Sequence, residues 1–198
     1  MALGSHRNQF AYTQRILFLG LTLCSATACV LFTTGSVMAP PETHQRMGLA
    51  SSAFKDGQPI PSLYTCDDKN ISPPLVWNGA PGNTASLALI VDDPDAPTGV
   101  WTHWVVFNLP SDTSQLSENA STSDPIAGNA KQGMNDFKHV GYGGPCPPAG
   151  KQHRYFFKIY ALDITLGLPA GASKKDVEAA MTKHILAEGQ LMGTYQKK

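Results

Sequence analysis

Short apolar runs separated by turn residues make up most of the chain after residue 48. The turns are marked by glycine, proline, asparagine and aspartate, as in Asn78-Gly79 and Pro81-Gly82. Short runs and turns at this spacing favour an all-β sandwich over alternating strands and helices. Three segments rich in valine, isoleucine or aromatic residues are predicted as strands: 86–91, 102–109 and 153–163.

One amphipathic helix is predicted near the C-terminus. Ser173 followed three positions later by Asp176 resembles a capping box. The apolar side chains that follow recur at helical spacing as far as Ile185, and Gly189 is expected to end the helix. Residues 190–195 are then predicted as a last strand.

Residues 110–152 form a long stretch of serine, asparagine, glycine and proline with few apolar positions. A run of this length inside a folded domain is typical of binding loops rather than of packed core. Met134, Phe137 and Tyr142 are the large apolar side chains within its second half that could anchor a partner.

The first 39 residues differ in kind from the rest. They contain two arginines and no acidic residue, and an uncharged apolar segment, 16–39, ends in small residues. This pattern is typical of a secretion signal.

Two alternatives to a cleaved signal stay open: an uncleaved membrane anchor over residues 16–32, at the short limit for a span, and a weak lipoprotein box ending at Cys29. Each alternative exports the remaining chain, with a polar linker at 40–48 and one domain at 49–198. The expected location is periplasmic or secreted, with inner-membrane attachment only through an uncleaved leader.

The charge balance excludes one class of partner. The chain has 15 Lys and Arg residues against 15 Asp and Glu residues. Binding that depends on neutralising phosphates needs a basic surplus or a basic stripe, so no nucleic-acid partner is expected.

Export affects which chemistry is expected of the four cysteines. Cys24 and Cys29 belong to the leader, which leaves Cys66 and Cys146 as the pair in the exported domain. In an oxidising compartment such a pair predicts a disulfide. A metal site would need further ligands at tight spacing, and the sequence has no CxxC or HxxxH pattern. We therefore expect neither a metal nor a cofactor.

Two histidines stand at the start of predicted strands. Because strand side chains alternate, His103 is expected to share a face with Val105 and Phe107. By the same argument His153 shares a face with Tyr155 and the apolar residues after it. A single histidine in this position is more often a structural residue than a ligand-binding one.

Asp93 adds a carboxylate to these imidazoles. It ends the first predicted strand, and Pro94 and Pro97 after it enforce a turn. Three strand ends could then bring Asp93, His103 and His153 to one pocket. An imidazole held by a carboxylate either donates a hydrogen bond to an anion or acts as a general base.

Several ordered motifs resemble the phosphatidylethanolamine-binding protein family, and most closely its bacterial branch of Raf kinase inhibitor-like proteins. The similarity spans about residues 49–196. The matching segments are Asn70-Ile71-Ser72-Pro73-Pro74-Leu75 with Trp77, Asp93-Pro94-Asp95-Ala96-Pro97, Trp101-Thr102-His103-Trp104 and the strand after it, and Gly143-Gly144-Pro145-Cys146-Pro147-Pro148 followed by His153-Arg154-Tyr155. The resemblance implies a mainly β fold, an antiparallel β-sandwich with a few peripheral helices and a small anion-binding cavity.

The resemblance also implies which residues form that site. The residues matching ligand-binding positions are Asp93, His103, Pro147, His153 and Tyr155. The residues matching supporting positions are Asp95, Trp101, Gly144 and Arg154.

The function expected from the residues and the resemblance together is binding rather than catalysis. The expected ligand is a small anion such as a phosphate ester, and modulation of a protein partner is a further possibility. Two alternatives remain. One is a protease or kinase inhibitor-type interaction protein. The other is a hydrolase that uses His103 or His153 as a base, although no G-x-S-x-G elbow is present.

Overall fold

The computed structural model describes residues 44–122 and 126–198. The predicted leader, 1–39, lies outside the described residues. Within the described ranges, none of the helices combines the length and the apolar character needed to cross a bilayer.

The described residues contain nine strands and one α-helix. The strands are β1 (Gln45–Arg46), β2 (Gly48–Ala50), β3 (Leu75–Asn78), β4 (Ser86–Asp93), β5 (Trp101–Pro110), β6 (Gln115–Leu116), β7 (Lys131–Gln132), β8 (Gln152–Leu162) and β9 (Ile185–Gln196). The helix, α1, is Lys174–Met181, and short 3-10 turns occur at Ser62–Tyr64 and Ala120–Thr122.

The strands form two sheets. The larger has the order β1-β9-β8-β4-β5-β7 and the smaller has the order β2-β3-β6. Every pairing is antiparallel except that of β1 with β9. The predicted mainly β, antiparallel sandwich with a helix near the C-terminus is therefore confirmed.

Both faces of the larger sheet are covered. One face packs against the smaller sheet through an apolar cluster that includes Trp77, Trp104 and Phe157. The other face packs beneath α1 through a second cluster that includes Phe107 and Val177. Central strand β4 is consequently buried along its whole length, which explains why its sequence reads as a continuous apolar run rather than an alternating one.

The helix begins as predicted and ends earlier than predicted. Ser173 and Asp176 form the capping box with both of its reciprocal hydrogen bonds. The helix ends at Met181, however, and Ile185 and Gly189 lie in β9. Pairing with the long strand β8 outweighs the helical spacing of the apolar residues. Gly189 does not end a helix. It lets Met47 approach closely, since a Cβ at Gly189 would lie 2.5 Å from the Met47 carbonyl oxygen.

Part of the predicted linker 40–48 belongs to the folded domain. Gln45 and Arg46 pair with β9, and Met47 is buried in the core between the sheets. Between β5 and β8, the described part of the predicted loop region 110–152 contains only the two-residue strands β6 and β7 and one 3-10 turn, so it consists mainly of loops.

Candidate functional site

Three strand ends meet at a cavity of about 230 Å³. The end of β4 contributes Asp93, the start of β5 contributes Trp101 and His103, and the start of β8 contributes His153. The remaining wall comes from the loops after β4 and before β8 and from Phe137. The predicted convergence of one carboxylate and two imidazoles is confirmed.

Asp93 and His153 form a buried pair at the base of the cavity. Their exposed fractions are only 3% and 1%. His153 Nδ1 lies 2.7 Å from Asp93 Oδ2, and a carboxylate oxygen accepts, so Nδ1 carries the hydrogen. The other carboxylate oxygen accepts the backbone N–H of Asp95 at 2.7 Å. This arrangement fixes the His153 ring and leaves its Nε2 as the nitrogen that can meet a ligand.

A β-bulge places His103 on the cavity side of β5. Val91 pairs with Trp104 and Asp92 pairs with Thr102, so His103 is an extra residue in β5. His103 therefore faces the same side as Trp104. The expectation that it shares a face with Val105 and Phe107 is wrong, because those two residues pack beneath α1.

His103 is fixed through a backbone carbonyl. Its Nδ1 lies 2.5 Å from the carbonyl oxygen of Gly143, which can only accept, so Nδ1 is the donor. Its Nε2 is left for a ligand, as in His153. Burial lowers the pKa of His103, and the Gly143 carbonyl and the Asp93 carboxylate offset part of that effect.

Tyr155 supports the site from beneath and is not among the residues that line the cavity. Its ring meets the His103 ring edge-on, with centroids 5.1 Å apart. The side chain is almost completely buried in the core between the sheets. Burial, together with the nearby Asp93 carboxylate, raises the pKa of the Tyr155 hydroxyl. That hydroxyl is therefore neutral at physiological pH.

Asp95 and Arg154 connect the loop after β4 to β8 outside the cavity. Asp95 Oδ1 accepts from Arg154 Nη2 at 2.7 Å, and Asp95 Oδ2 accepts from Nε at 2.9 Å and from the backbone N–H at 3.0 Å. The Arg154 hydrogen bonds lower the pKa of Asp95 to about 2. The Arg154 side chain is 53% exposed, so both residues lie where a supporting role would place them.

The loop before β8 is attached to the 64–70 segment. Cys66 and Cys146 form the predicted disulfide, and Cys146 contributes to the cavity wall. Gly144 donates its backbone N–H to Asn70 Oδ1 at 2.7 Å. A Cβ at Gly144 would lie 2.3 Å from the Tyr64 carbonyl oxygen, so only glycine fits there without displacing backbone.

Two further contacts strengthen that attachment. The Tyr142 hydroxyl donates to the Tyr64 carbonyl at 2.8 Å, and the Cys66 N–H donates to the Pro145 carbonyl at 3.1 Å. Tyr142 is buried. Of the three apolar residues predicted as possible partner anchors, only Met134 and Phe137 are exposed.

Sequence reasoning missed Phe137 as part of the cavity. Its ring lies edge-on to His103 and Trp101, with centroids 5.3 and 5.4 Å apart. In the sequence Phe137 is only an isolated aromatic residue in a polar loop. Such a residue does not indicate which cavity, if any, its ring will line. Ala96, Pro97 and Pro148 also line the cavity, and they lie within the motifs already singled out.

Asp92 faces the opposite side of the sheet from the cavity. Its carboxylate lies 2.7 Å from Lys174 Nζ and 3.2 Å from Lys158 Nζ. It is almost completely buried, and the two ammonium groups compensate its charge. This ion-pair cluster joins α1 to β4 and β8.

A family model described as phosphatidylethanolamine-binding protein matches residues 50–196. A curated relative, a UPF0098 protein of Methanothermobacter thermautotrophicus, is 55% identical over 151 residues, which are 76% of this chain and 99% of the relative. A UPF0098 protein of Aquifex aeolicus is 52% identical over 153 residues, which are 76% of this chain and 89% of that relative.

Solved structures show the same fold. A phosphatidylethanolamine-binding protein homologue from Chlamydia trachomatis aligns with a TM-score of 0.71 and 43% identity, covering 78% of this chain and 99% of that one. Escherichia coli YbcL, described as a member of the mammalian PEBP family, aligns with a TM-score of 0.73 and 33% identity, covering 77% and 99%. The chain therefore belongs to the phosphatidylethanolamine-binding protein family.

Proposed function

We propose that this protein is an exported ligand-binding protein whose cavity holds the anionic group of a phosphate ester or a similar molecule. The observation that carries the proposal is the arrangement of the two buried imidazoles. Each uses its Nδ1 for a contact within the protein, so each has Nε2 left for a ligand. When protonated, both Nε2 atoms become donors and both rings become cations, which suits an anion.

Trp101 adds a donor that does not titrate. It lines the cavity, and its Nε1 is buried with no hydrogen-bond partner among the described residues. A buried donor without a partner is unfavourable by about 1–3 kcal/mol. A ligand oxygen that reached Nε1 would remove this penalty.

Titration calorimetry with phenyl phosphate tests the proposal. The wild-type protein should bind it with 1:1 stoichiometry. A double variant, His103→Gln with His153→Gln, should lose that binding while it keeps its cooperative thermal unfolding. Unchanged binding by the folded double variant would exclude the cavity as the site.

A second candidate function is hydrolysis, because the Asp93–His153 contact is also how a general base is oriented. We favour binding, since none of the serine or threonine hydroxyls is seen bonded to either imidazole within the described residues. Turnover of 4-nitrophenyl esters that disappears in His153→Ala would favour the hydrolase instead.

Modulation of a partner protein, as an inhibitor-type protein would exert it, is supported by the surface next to the cavity. Val100, Met134, Phe137 and Val140 are four of the five large apolar residues that are exposed among the described residues. Apolar side chains gathered on a surface often mark an interaction site. A pull-down from the exported compartment that loses its partner in Met134→Ser with Val140→Ser would support this role.

A further inference from the structure

The cavity has a polar base and an apolar rim. Asp93, His103 and His153 are almost completely buried and form its base. Most of the remaining lining is apolar and, except for the buried Pro147, lies nearer the surface: Ala96, Pro97, Phe137, Cys146, Pro147 and Pro148. An anion that reached the imidazoles would therefore place its substituent against this apolar rim.

The cavity is larger than a bare oxyanion requires. Its volume is about 230 Å³, and one water molecule accounts for roughly 30 Å³ of the liquid. A phosphate ion has five heavy atoms, so space remains for a substituent bonded to one of its oxygens.

Phe137 has the largest apolar side chain of the rim residues. Its side chain is 39% exposed, yet its position is restricted by its neighbours. The ring stacks on His139 and lies edge-on to Trp101 and His103. It also packs on the backbone of Gly143, where a Cβ would approach the Phe137 ring to 2.5 Å. A ring held in this way can pack on a second ring with little loss of conformational freedom.

We propose that the ligand is an anion with an apolar, preferably aromatic, substituent, and that Phe137 is the residue that selects it. This inference rests on the proposed function, because it concerns the same cavity. A substituent rich in hydroxyl groups is disfavoured. Its hydroxyls would lose water against pyrrolidine rings and a phenyl ring, whose side-chain atoms offer no hydrogen bonds in return.

Calorimetry at pH 6 on the full chain compares phenyl phosphate with glycerol 3-phosphate, two monoesters with the same anionic group. Wild-type protein should bind phenyl phosphate about tenfold more tightly. In Phe137→Ala that preference should fall by roughly 3- to 10-fold, the range for one aromatic pair, because the affinity for phenyl phosphate falls much more than the affinity for glycerol 3-phosphate.

Two further variants separate ring packing from other effects. Phe137→Leu keeps apolar volume without the ring and should lose part of the preference. Val76→Ala changes another exposed apolar residue, 48% exposed against 39% for Phe137, in the smaller sheet, and should change neither affinity.

The outcomes distinguish this inference from the function on which it rests. If neither ester binds the wild-type protein, both proposals fail. If both esters bind with equal affinity, or if Phe137→Ala weakens both equally, anion binding stands and selection by Phe137 is wrong. The wild-type ratio of the two affinities tests the preference itself even if Phe137→Ala fails to fold, and Phe137→Leu then tests whether the Phe137 ring is responsible.

Discussion

Asp92 and Asp93 are consecutive buried carboxylates of β4 that face opposite sides of the larger sheet. Asp93 accepts a hydrogen bond from His153 at 2.7 Å, whereas Asp92 lies between the ammonium groups of Lys158 and Lys174. One carboxylate therefore belongs to the cavity and the other to the junction of the sheet with α1. This gives a test variant and a control of identical chemistry, one residue apart.

Asp93→Asn should weaken binding of phenyl phosphate at pH 6 by about tenfold, because the charged hydrogen bond that orients the His153 ring becomes a neutral one. The carboxylate holds that ring through a contact of 2.7 Å, and an amide has no charge with which to strengthen it. Removing Asp93 also removes its repulsion of the bound anion. The anion, however, lies beyond the far side of the ring, so the shorter contact dominates. Calorimetry measures the change.

Asp92→Asn is the matched control. It should leave the affinity within about twofold and lower the free energy of unfolding by about 2 kcal/mol, because two partly buried ammonium groups lose their carboxylate. Urea denaturation measures the stability. If Asp92→Asn weakened binding as much as Asp93→Asn, assigning the two carboxylates to separate faces would be contradicted.

Binding should weaken as the pH rises. Protonated imidazoles present a donor and a positive charge to the anion, and burial lowers the pKa of His103 below its usual value of about 6.5. The cationic form of His103 is therefore populated only on the acidic side of that value. The pKa of Asp95 is about 2, so its carboxylate stays ionised throughout. Affinity should be higher at pH 5.5 than at pH 8.

Benzenesulfonate is the probe for this measurement, because it remains a monoanion across the whole range and the change then belongs to the protein. His103→Gln should reduce the difference between the two pH values. If the wild-type protein bound benzenesulfonate with equal affinity at pH 5.5 and pH 8, the histidines would not be the donors to the anion.

The sequence sufficed to place Asp93 and His153 but not to orient His103. Regular alternation holds along β8, so His153 does share a face with Tyr155 and the core between the sheets. Alternation fails in β5 because of a bulge, which depends on the register between Val91 and Trp104. Register is a relation between two strands, and no property of residues 101–105 alone reveals it.

The contrast between local sequence and contacts distant in sequence also explains the outcomes for α1 and for Phe137. Capping of α1 is local, so Ser173 and Asp176 predict it correctly. Where α1 ends depends on whether Ile185 extends the helix or pairs with β8. In the structure Ile185 pairs with Leu162 of β8. Phe137 reaches the cavity through a loop whose path no short-range pattern encodes.

Gly144→Ala should destabilise the protein by about 1–3 kcal/mol, the range for forced overpacking. The new methyl group would lie 2.3 Å from the Tyr64 carbonyl oxygen and 2.5 Å from Asn70 Oδ1, so the loop before β8 must move. Because that loop carries Pro147, binding should weaken as well. Gly82→Ala is the control, since nothing lies within 4 Å of the Cβ it would add. Equal thermal stability of the two variants would contradict this account of the loop.

The Cys66–Cys146 disulfide should matter for stability and little for binding. It closes a loop of 80 residues, and breaking it should lower the free energy of unfolding by about 4 kcal/mol on the chain-entropy account. The hydrogen bonds donated by Tyr142, Gly144 and the Cys66 N–H still hold the cavity loop in place. A Cys66→Ser, Cys146→Ser double variant should therefore unfold at lower urea concentration yet bind phenyl phosphate within about twofold of wild type.

Asn70→Ala, with the disulfide intact, removes the acceptor for Gly144 and should weaken binding more than the double serine change does. If the folded double variant loses binding and Asn70→Ala keeps it, the covalent bond rather than the hydrogen bonds shapes the cavity.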